Sequence, residues 1–157
     1  AIALGSRSRA SGISSQASGT DARASGGNAQ ASGTSANASG TNAQASGTNA
    51  SASGSSAMAQ GTRATSYATD GIAMGTGAIS GFEDPTNQDP QRNMAGIAIG
   101  KSSLADEQNA LALGVEANAR AADDNLGVGR REQDDLRFAT TSMQAANGDY
   151  RAEIDAL

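Results

Sequence analysis

Cysteine, histidine and tryptophan are all missing from this chain of 157 residues, and aromatic residues make up only 3% of it. Each absence closes off a class of protein. Without cysteine there is no disulfide framework, and without histidine the commonest general base and metal ligand at neutral pH is gone. Large side chains are scarce: there are two Phe and two Tyr, and most of the 37% hydrophobic fraction is alanine. A conventional core of interlocking aliphatic and aromatic groups is therefore out of reach. No apolar run approaches the roughly 20 residues of a membrane-spanning helix, and no signal peptide opens the chain. The sequence reads as a piece of a longer protein, so missing targeting signals say little about where the parent resides. The formal net charge of −5 is unevenly spread. Residues 1–69 set Arg7, Arg9, Arg23 and Arg63 against Asp21 alone, whereas residues 70–157 hold the acidic excess. Neither half has the dense Lys/Arg stripe of a nucleic-acid binder, and none is expected as a partner.

What is present is a repeat. Gly5, Gly12, Gly19, Gly26, Gly33, Gly40, Gly47, Gly54 and Gly61 fall every seventh residue, separated by nearly the same polar, alanine-rich word. A second period of fourteen lies over the first. Counting three residues back from each glycine gives two alternating series, Ile2, Gln16, Gln30, Gln44, Met58 and Ile72 in one and Arg9, Arg23, Asn37, Ser51 and Thr65 in the other. The unit is thus fourteen residues, with two similar halves in different environments.

A sevenfold period suggests a coiled coil, but a glycine in every heptad costs about 1 kcal/mol relative to alanine in a helix. Disorder fits the low hydrophobicity but does not require such strictness of position. A β-solenoid explains both. Two and four residues before each glycine the side chain is small, as at Ala17 and Ser15 or Ala45 and Ala43, whereas one and three residues before it is variable and mostly polar. Since strands point alternate residues to opposite faces, each heptad is expected to form a five-residue strand with alanine on one side, closed by a two-residue turn. Glycine is expected to supply the positive φ of that turn. Two strands per coil, facing each other through alanine, make a flattened roll.

The fourteen-residue alternation then acquires meaning. The series with Ile2, Met58 and Ile72 has Leu4 and Met74 as outward neighbours and resumes as Ile97 and Ile99, Leu111 and Leu113, Leu126 and Val128. These residues lie outside the roll yet are apolar, and are expected to cover a partner. The opposite series (Arg9, Arg23, Asn37, Ser51, then Asn118 and Arg120) is polar throughout and is expected to face solvent. Burying ten large apolar residues of the first series would supply roughly 1.5–3 kcal/mol each, an upper bound that makes association part of folding. Because every coil presents the same face, the simplest closed assembly packs identical sheets around an axis parallel to the stack, and three chains form a compact prism. The predicted interface comprises Ile2, Leu4, Gln16, Gln30, Gln44, Met58, Ile72, Met74, Ile97, Ile99, Leu111, Leu113, Leu126 and Val128.

The words Ala1-Ile2-Ala3-Leu4-Gly5, Gly71-Ile72-Ala73-Met74-Gly75, Gly96-Ile97-Ala98-Ile99-Gly100 and Asn109-Ala110-Leu111-Ala112-Leu113-Gly114 resemble the head repeat of YadA-like trimeric autotransporter adhesins. The resemblance covers about residues 1–130. It implies an all-β head, a left-handed parallel β-roll (β-solenoid) of 14-residue coils, homotrimeric and carried on a stalk. It also implies display at the outer surface of a Gram-negative bacterium, anchored in the outer membrane through a C-terminal region, with a role in cell adhesion and virulence. The sequence departs from the family pattern in residues 10–61, where Gln16, Gln30, Gln44, Ser18, Ser32 and Ser46 replace large aliphatics.

Two interruptions divide the chain. Ile72 and Ile97 are eleven residues further apart than one coil allows, and the excess falls in 81–93, rich in turn formers and containing Pro85 and Pro90. This segment is either a ligand-contacting loop or a structural flap anchored by Phe82, and the second is the plainer reading. The head is expected to span 1–131. From 132 to 157 Leu136, Met143, Tyr150 and Leu157 recur every seven, with Thr140, Asn147 and Ile154 four residues after the first three. That spacing suits a helical neck or the start of a coiled-coil stalk, although Asn147-Gly148 is a turn signal.

No enzyme reading survives. The glycine-rich word lacks the Lys-Ser/Thr ending of a phosphate loop. Asp123-Asp124 and Asp134-Asp135 follow neither an EF-hand nor a calcium-roll spacing and read as solvated charge. Asn37-Ala38-Ser39 and Asn49-Ala50-Ser51 match a glycosylation acceptor, but the repeat generates such triplets by itself. No cofactor or metal is expected. The favoured reading is a trimeric adhesin head binding host extracellular-matrix protein or a cell-surface receptor. The alternative is a structural trimeric spike, such as a phage tail fibre or an adhesin spacer, with no ligand of its own; an ice-binding solenoid is disfavoured because its ladders would mix Arg, Asn and Gln with Ser. The ligand and the outward residues that touch it are not legible.

Overall fold

The structure, a computed structural model, describes residues 1–82, 95–106 and 109–119, together with the backbone of 126–128. Its strands, in chain order, are β1 (Ile2–Leu4), β2 (Arg9–Ala10), β3 (Gln16–Ser18), β4 (Arg23–Ala24), β5 (Gln30–Ser32), β6 (Asn37–Ala38), β7 (Gln44–Ser46), β8 (Ser51–Ala52), β9 (Met58–Gln60), β10 (Thr65–Ser66), β11 (Ile72–Met74), β12 (Ile79–Ser80), β13 (Ile97–Ile99), β14 (Leu104–Ala105), β15 (Leu111–Leu113), β16 (Asn118–Ala119) and β17 (Leu126–Val128). Odd-numbered strands form one nine-stranded sheet in the order of the chain, and even-numbered strands form an eight-stranded sheet. Neighbouring strands pair in parallel, with partners such as Gln30 and Gln44 one coil apart. The fold is an all-β parallel solenoid, and no helix occurs among the described residues.

The strands are shorter than the expected five residues, three in the odd sheet and two in the even one. The coil-to-coil ladder nevertheless continues past their ends. The Ser25 N–H donates to Ala38 O at 2.9 Å, and in the turns Ser35 N–H donates to Thr20 O at 2.8 Å and Asn49 N–H to Thr34 O at 2.9 Å. Turns are part of the ladder here, and this is why their length does not drift.

Between the sheets lies a layer of methyl groups. Ala24, Ala38, Ala52, Ala73, Ala98 and Ala112 are all 0% exposed, and the largest fully buried side chains are Ser15, Ser66, Ser80 and Ser103. Three of these serines bond to the backbone, Ser15 Oγ donating to Gly12 O at 2.8 Å, Ser103 Oγ to Gly100 O at 3.0 Å and Ser80 Oγ to Gly96 O, whereas the buried Ser66 Oγ has no hydrogen-bond partner. The core compensates atom for atom. Where Ser66 and Ser80 point inward, glycine replaces alanine at 71, because a Cβ there would lie 2.6 Å from Ser80 Oγ and 2.7 Å from Ser66 Oγ. A layer this thin accepts an extra oxygen only by giving up a carbon elsewhere.

The glycines correct the expectation about the turns. The repeated glycine supplies a positive φ only after the odd sheet, as at Gly5, Gly19, Gly33 and Gly47, while in every one of these turns the residue two positions later is left-handed: Arg7, Ser14, Asp21, Asn28, Ser35, Asn42 and Asn49 have φ between 54 and 57°. The next coil approaches all the heptad glycines closely, and their backbone conformation alternates with period fourteen. Those following the odd sheet lie at a positive φ that strains any other residue, with Gly19 at φ 131°, and a Cβ there would also sit 2.5 Å from Gly33 O. Those following the even sheet are needed for space: a Cβ on Gly40 would sit 1.9 Å from Gly54 O of the next coil. Ala68 occupies this second kind of position in place of glycine, one coil before the path through Phe82 departs from the repeat.

That departure begins in the turn after β12. Gly81 N–H still donates to Ala105 O at 2.7 Å, and Ala95 N–H donates to Thr69 O at 2.8 Å, so the extra residues leave and rejoin the roll through the same turn. The loop residues 83–93 and the neck or stalk expected at 132–157 lie outside the described residues.

Candidate binding surfaces

Two columns of side chains run along the outer face of the odd sheet. One is Ile2, Gln16, Gln30, Gln44, Met58, Ile72, Ile97, Leu111 and Leu126, each in register with the next. The other is Leu4, Ser18, Ser32, Ser46, Gln60, Met74, Ile99, Leu113 and Val128. The sheet topology thus places every residue of the predicted interface on one face, with Leu126 and Val128 placed by backbone register alone. In the single chain this face is open. Leu4 is 62% exposed, Ile2 54%, Leu113 40% and Ile99 39%. Where the columns turn polar, a groove of about 270 Å³ opens, lined by Gln30, Ser32, Gln44, Ser46, Met58 and Gln60.

The even sheet carries Arg9, Arg23, Asn37, Ser51, Thr65, Ile79, Leu104 and Asn118 in one outward register. This corrects the expectation that the opposite face is polar throughout, because Ile79 and Leu104 are neighbours on it and are half-buried. Arg120 lies outside the described residues.

The turns form two edges. On the edge following the odd sheet, Thr20, Thr34, Thr48, Thr62 and Thr76 occupy equivalent exposed positions in successive coils. The recurring Gly-Thr pair is the sequence signal for this column, which lies on an edge and so falls outside the alternation that marks the two faces. Beside it Arg7 grips Asp21 of the next coil through both carboxylate oxygens, Nε to Oδ1 at 3.0 Å and Nη2 to Oδ2 at 3.1 Å. On the other edge Asn28 Nδ2 donates to Asn42 Oδ1 at 3.2 Å. Among the described residues no group of three or more His, Cys, Asp or Glu comes together.

A parallel solenoid with an alanine interior, one outer sheet that is partly apolar and regular turn edges defines a class: repeat proteins that present extended faces and edges. The family model for the YadA head domain repeat matches residues 31–57, 52–78 and 95–117. The chain therefore carries a YadA-like head domain. No curated protein is a significant match to it.

Proposed function

We propose that this chain is the head of a trimeric surface adhesin, a non-catalytic module that attaches a Gram-negative bacterium to host extracellular matrix or cells. The observation that supports this most directly is the open odd sheet, with Ile72, Met74, Ile97, Ile99, Leu111 and Leu113 in two unbroken columns. Three copies packed through these columns bury what one copy exposes. The even sheets and turn edges then become the outer walls of a prism about an axis parallel to the stack. Each wall repeats the same shallow chemistry, and three walls engage a dense target together, so that weak contacts sum through effective concentration.

The test is retention on surfaces coated with matrix proteins or on cultured cells. The intact protein should sediment as a trimer and be retained. A variant with Ile97→Asp and Leu111→Asp should sediment as a monomer and lose retention. If the intact trimer binds none of these surfaces while the parent protein does, the head is a spacer and adhesion lies elsewhere in the parent.

A further inference from the structure

The first two coils of the even sheet place Arg9 and Arg23 directly in register on adjacent parallel strands, both exposed. Strands in a sheet are about 4.8 Å apart, and like charges set opposite each other at that spacing repel. The repeat offers an easy escape, since the same column continues as Asn37, Ser51 and Thr65. The one acidic side chain of these coils does not relieve the pair either. Asp21 gives both of its oxygens to Arg7 across the turn. Among the described residues no carboxylate forms an ion pair with Arg9 or Arg23.

We infer that Arg9 and Arg23 form a binding site for a sulfated polysaccharide of the target surface. The paired forks of two stacked guanidiniums match the tetrahedral oxygens of sulfate, which each can engage with two parallel N–H donors. Charge spacing selects the polymer. Two cations one strand apart are satisfied by a chain bearing several anionic groups per disaccharide, whereas one carboxylate per disaccharide leaves its charges too far apart. The turn column of Thr20 and Thr34 adjoins the same coils and offers hydroxyls to the sugar backbone. The Arg7–Asp21 pair has a role in this arrangement: it keeps Asp21 from quenching the site. The inference rests on the reading of the chain as an adhesion head but names a ligand that the matrix-protein assay does not probe.

The experiment is elution of the intact protein from immobilised heparin in a salt gradient, with hyaluronan, which carries carboxylates alone, as a second column. The unsubstituted protein should bind heparin and pass through hyaluronan. Arg9→Gln with Arg23→Gln should elute at clearly lower salt, with a shallower dependence of affinity on salt because fewer counterions are released. Arg63→Gln, an exposed arginine outside the pair, should elute unchanged. Circular dichroism and sedimentation confirm that each variant keeps its fold and assembly state. Equal elution of the double variant and the unsubstituted protein would overturn the site, and equal retention on hyaluronan would overturn the assignment to sulfate. Loss of matrix or cell retention without loss of heparin binding would sink the adhesion reading while leaving this site standing.

Discussion

Residues 16–60 and residues 72–113 are built on one backbone plan with the same interior, yet they turn opposite chemistry outward from the odd sheet. In the first stretch the outer columns read Gln16, Gln30, Gln44 and Ser18, Ser32, Ser46; in the second they read Ile72, Ile97, Leu111 and Met74, Ile99, Leu113. Inward, both have alanine at 0–1% exposure, at Ala31 and Ala45 as at Ala98 and Ala112. The difference teaches that the coil is specified by its inner layer and its turns. The outer face is left free to decide association.

Several substitutions would sharpen or break this comparison, and the largest effect is expected where both stretches are alike. Gly40→Val would drive a side chain into Gly54 O, which already lies 1.9 Å from a Cβ position. Thermal unfolding should show a loss of about 4 kcal/mol or more, the range of severe backbone clashes. If Gly40→Val were tolerated as Ala68 is, close approach of the coils would not be what demands glycine.

Overpacking comes next and should not distinguish the two stretches. Ala45→Leu and Ala98→Leu each insert three carbons into a one-methyl layer and should cost about 1–3 kcal/mol or somewhat more. Denaturant titration giving a large loss at one and none at the other would mean that the sheets are not equally close along the roll.

The comparison predicts divergence only on the outer face. In the proposed trimer, Ile97→Asp should remove roughly 1.5–3 kcal/mol of burial per chain and weaken assembly measurably by sedimentation. Replacing Gln16, Gln30 and Gln44 together by Lys should also disrupt the trimer, because buried amides there need partners and a buried ammonium has none. Lys at Arg23, Asn37 and Ser51 should leave assembly intact. Equal tolerance of both sets would mean that the odd sheet is not the covered one.

The smallest effect belongs to a turn. Asn28→Ala removes the side-chain hydrogen bond to Asn42 and places alanine at φ 56°. A loss of about 1–2 kcal/mol is expected from these two terms, read from the unfolding midpoint. No change at all would mean that the turns contribute nothing beyond their backbone ladder.

Much of this architecture was legible in the sequence because its determinants are local and repeated. Small residues at alternate positions, glycine every seventh residue and the fourteen-residue exchange of Gln16 against Arg23 suffice to assign strands, interior and the odd face. Three features were not legible, each for a physical reason. Counting back from glycine misses Ile79 and Leu104, since Phe82 and Glu107 stand where the glycines would be. The need for glycine at Gly40 comes from a carbonyl fourteen residues away, which no local rule about turns contains. The exchange of alanine for glycine at Gly71 answers serines on two other strands, Ser66 and Ser80, and is visible only when the sheets are stacked.

The turn-to-turn hydrogen bonds carry a consequence for how such a chain changes in length. Because Ser35 donates to Thr20 and Asn49 to Thr34, each coil presents to the next the same surface that it received from the one before. Duplicating or deleting fourteen residues within 16–60 therefore leaves every remaining backbone bond of the ladder with an equivalent partner, and lengthens or shortens the roll by one strand spacing. A seven-residue change does something else. It moves the Arg23 and Asn37 series onto the odd face, puts the positive-φ glycines on the opposite edge, and exchanges the two sides of the protein from that point onward. Growth by whole coils is silent, and growth by halves keeps the alanine interior but swaps the two outer faces from that point on.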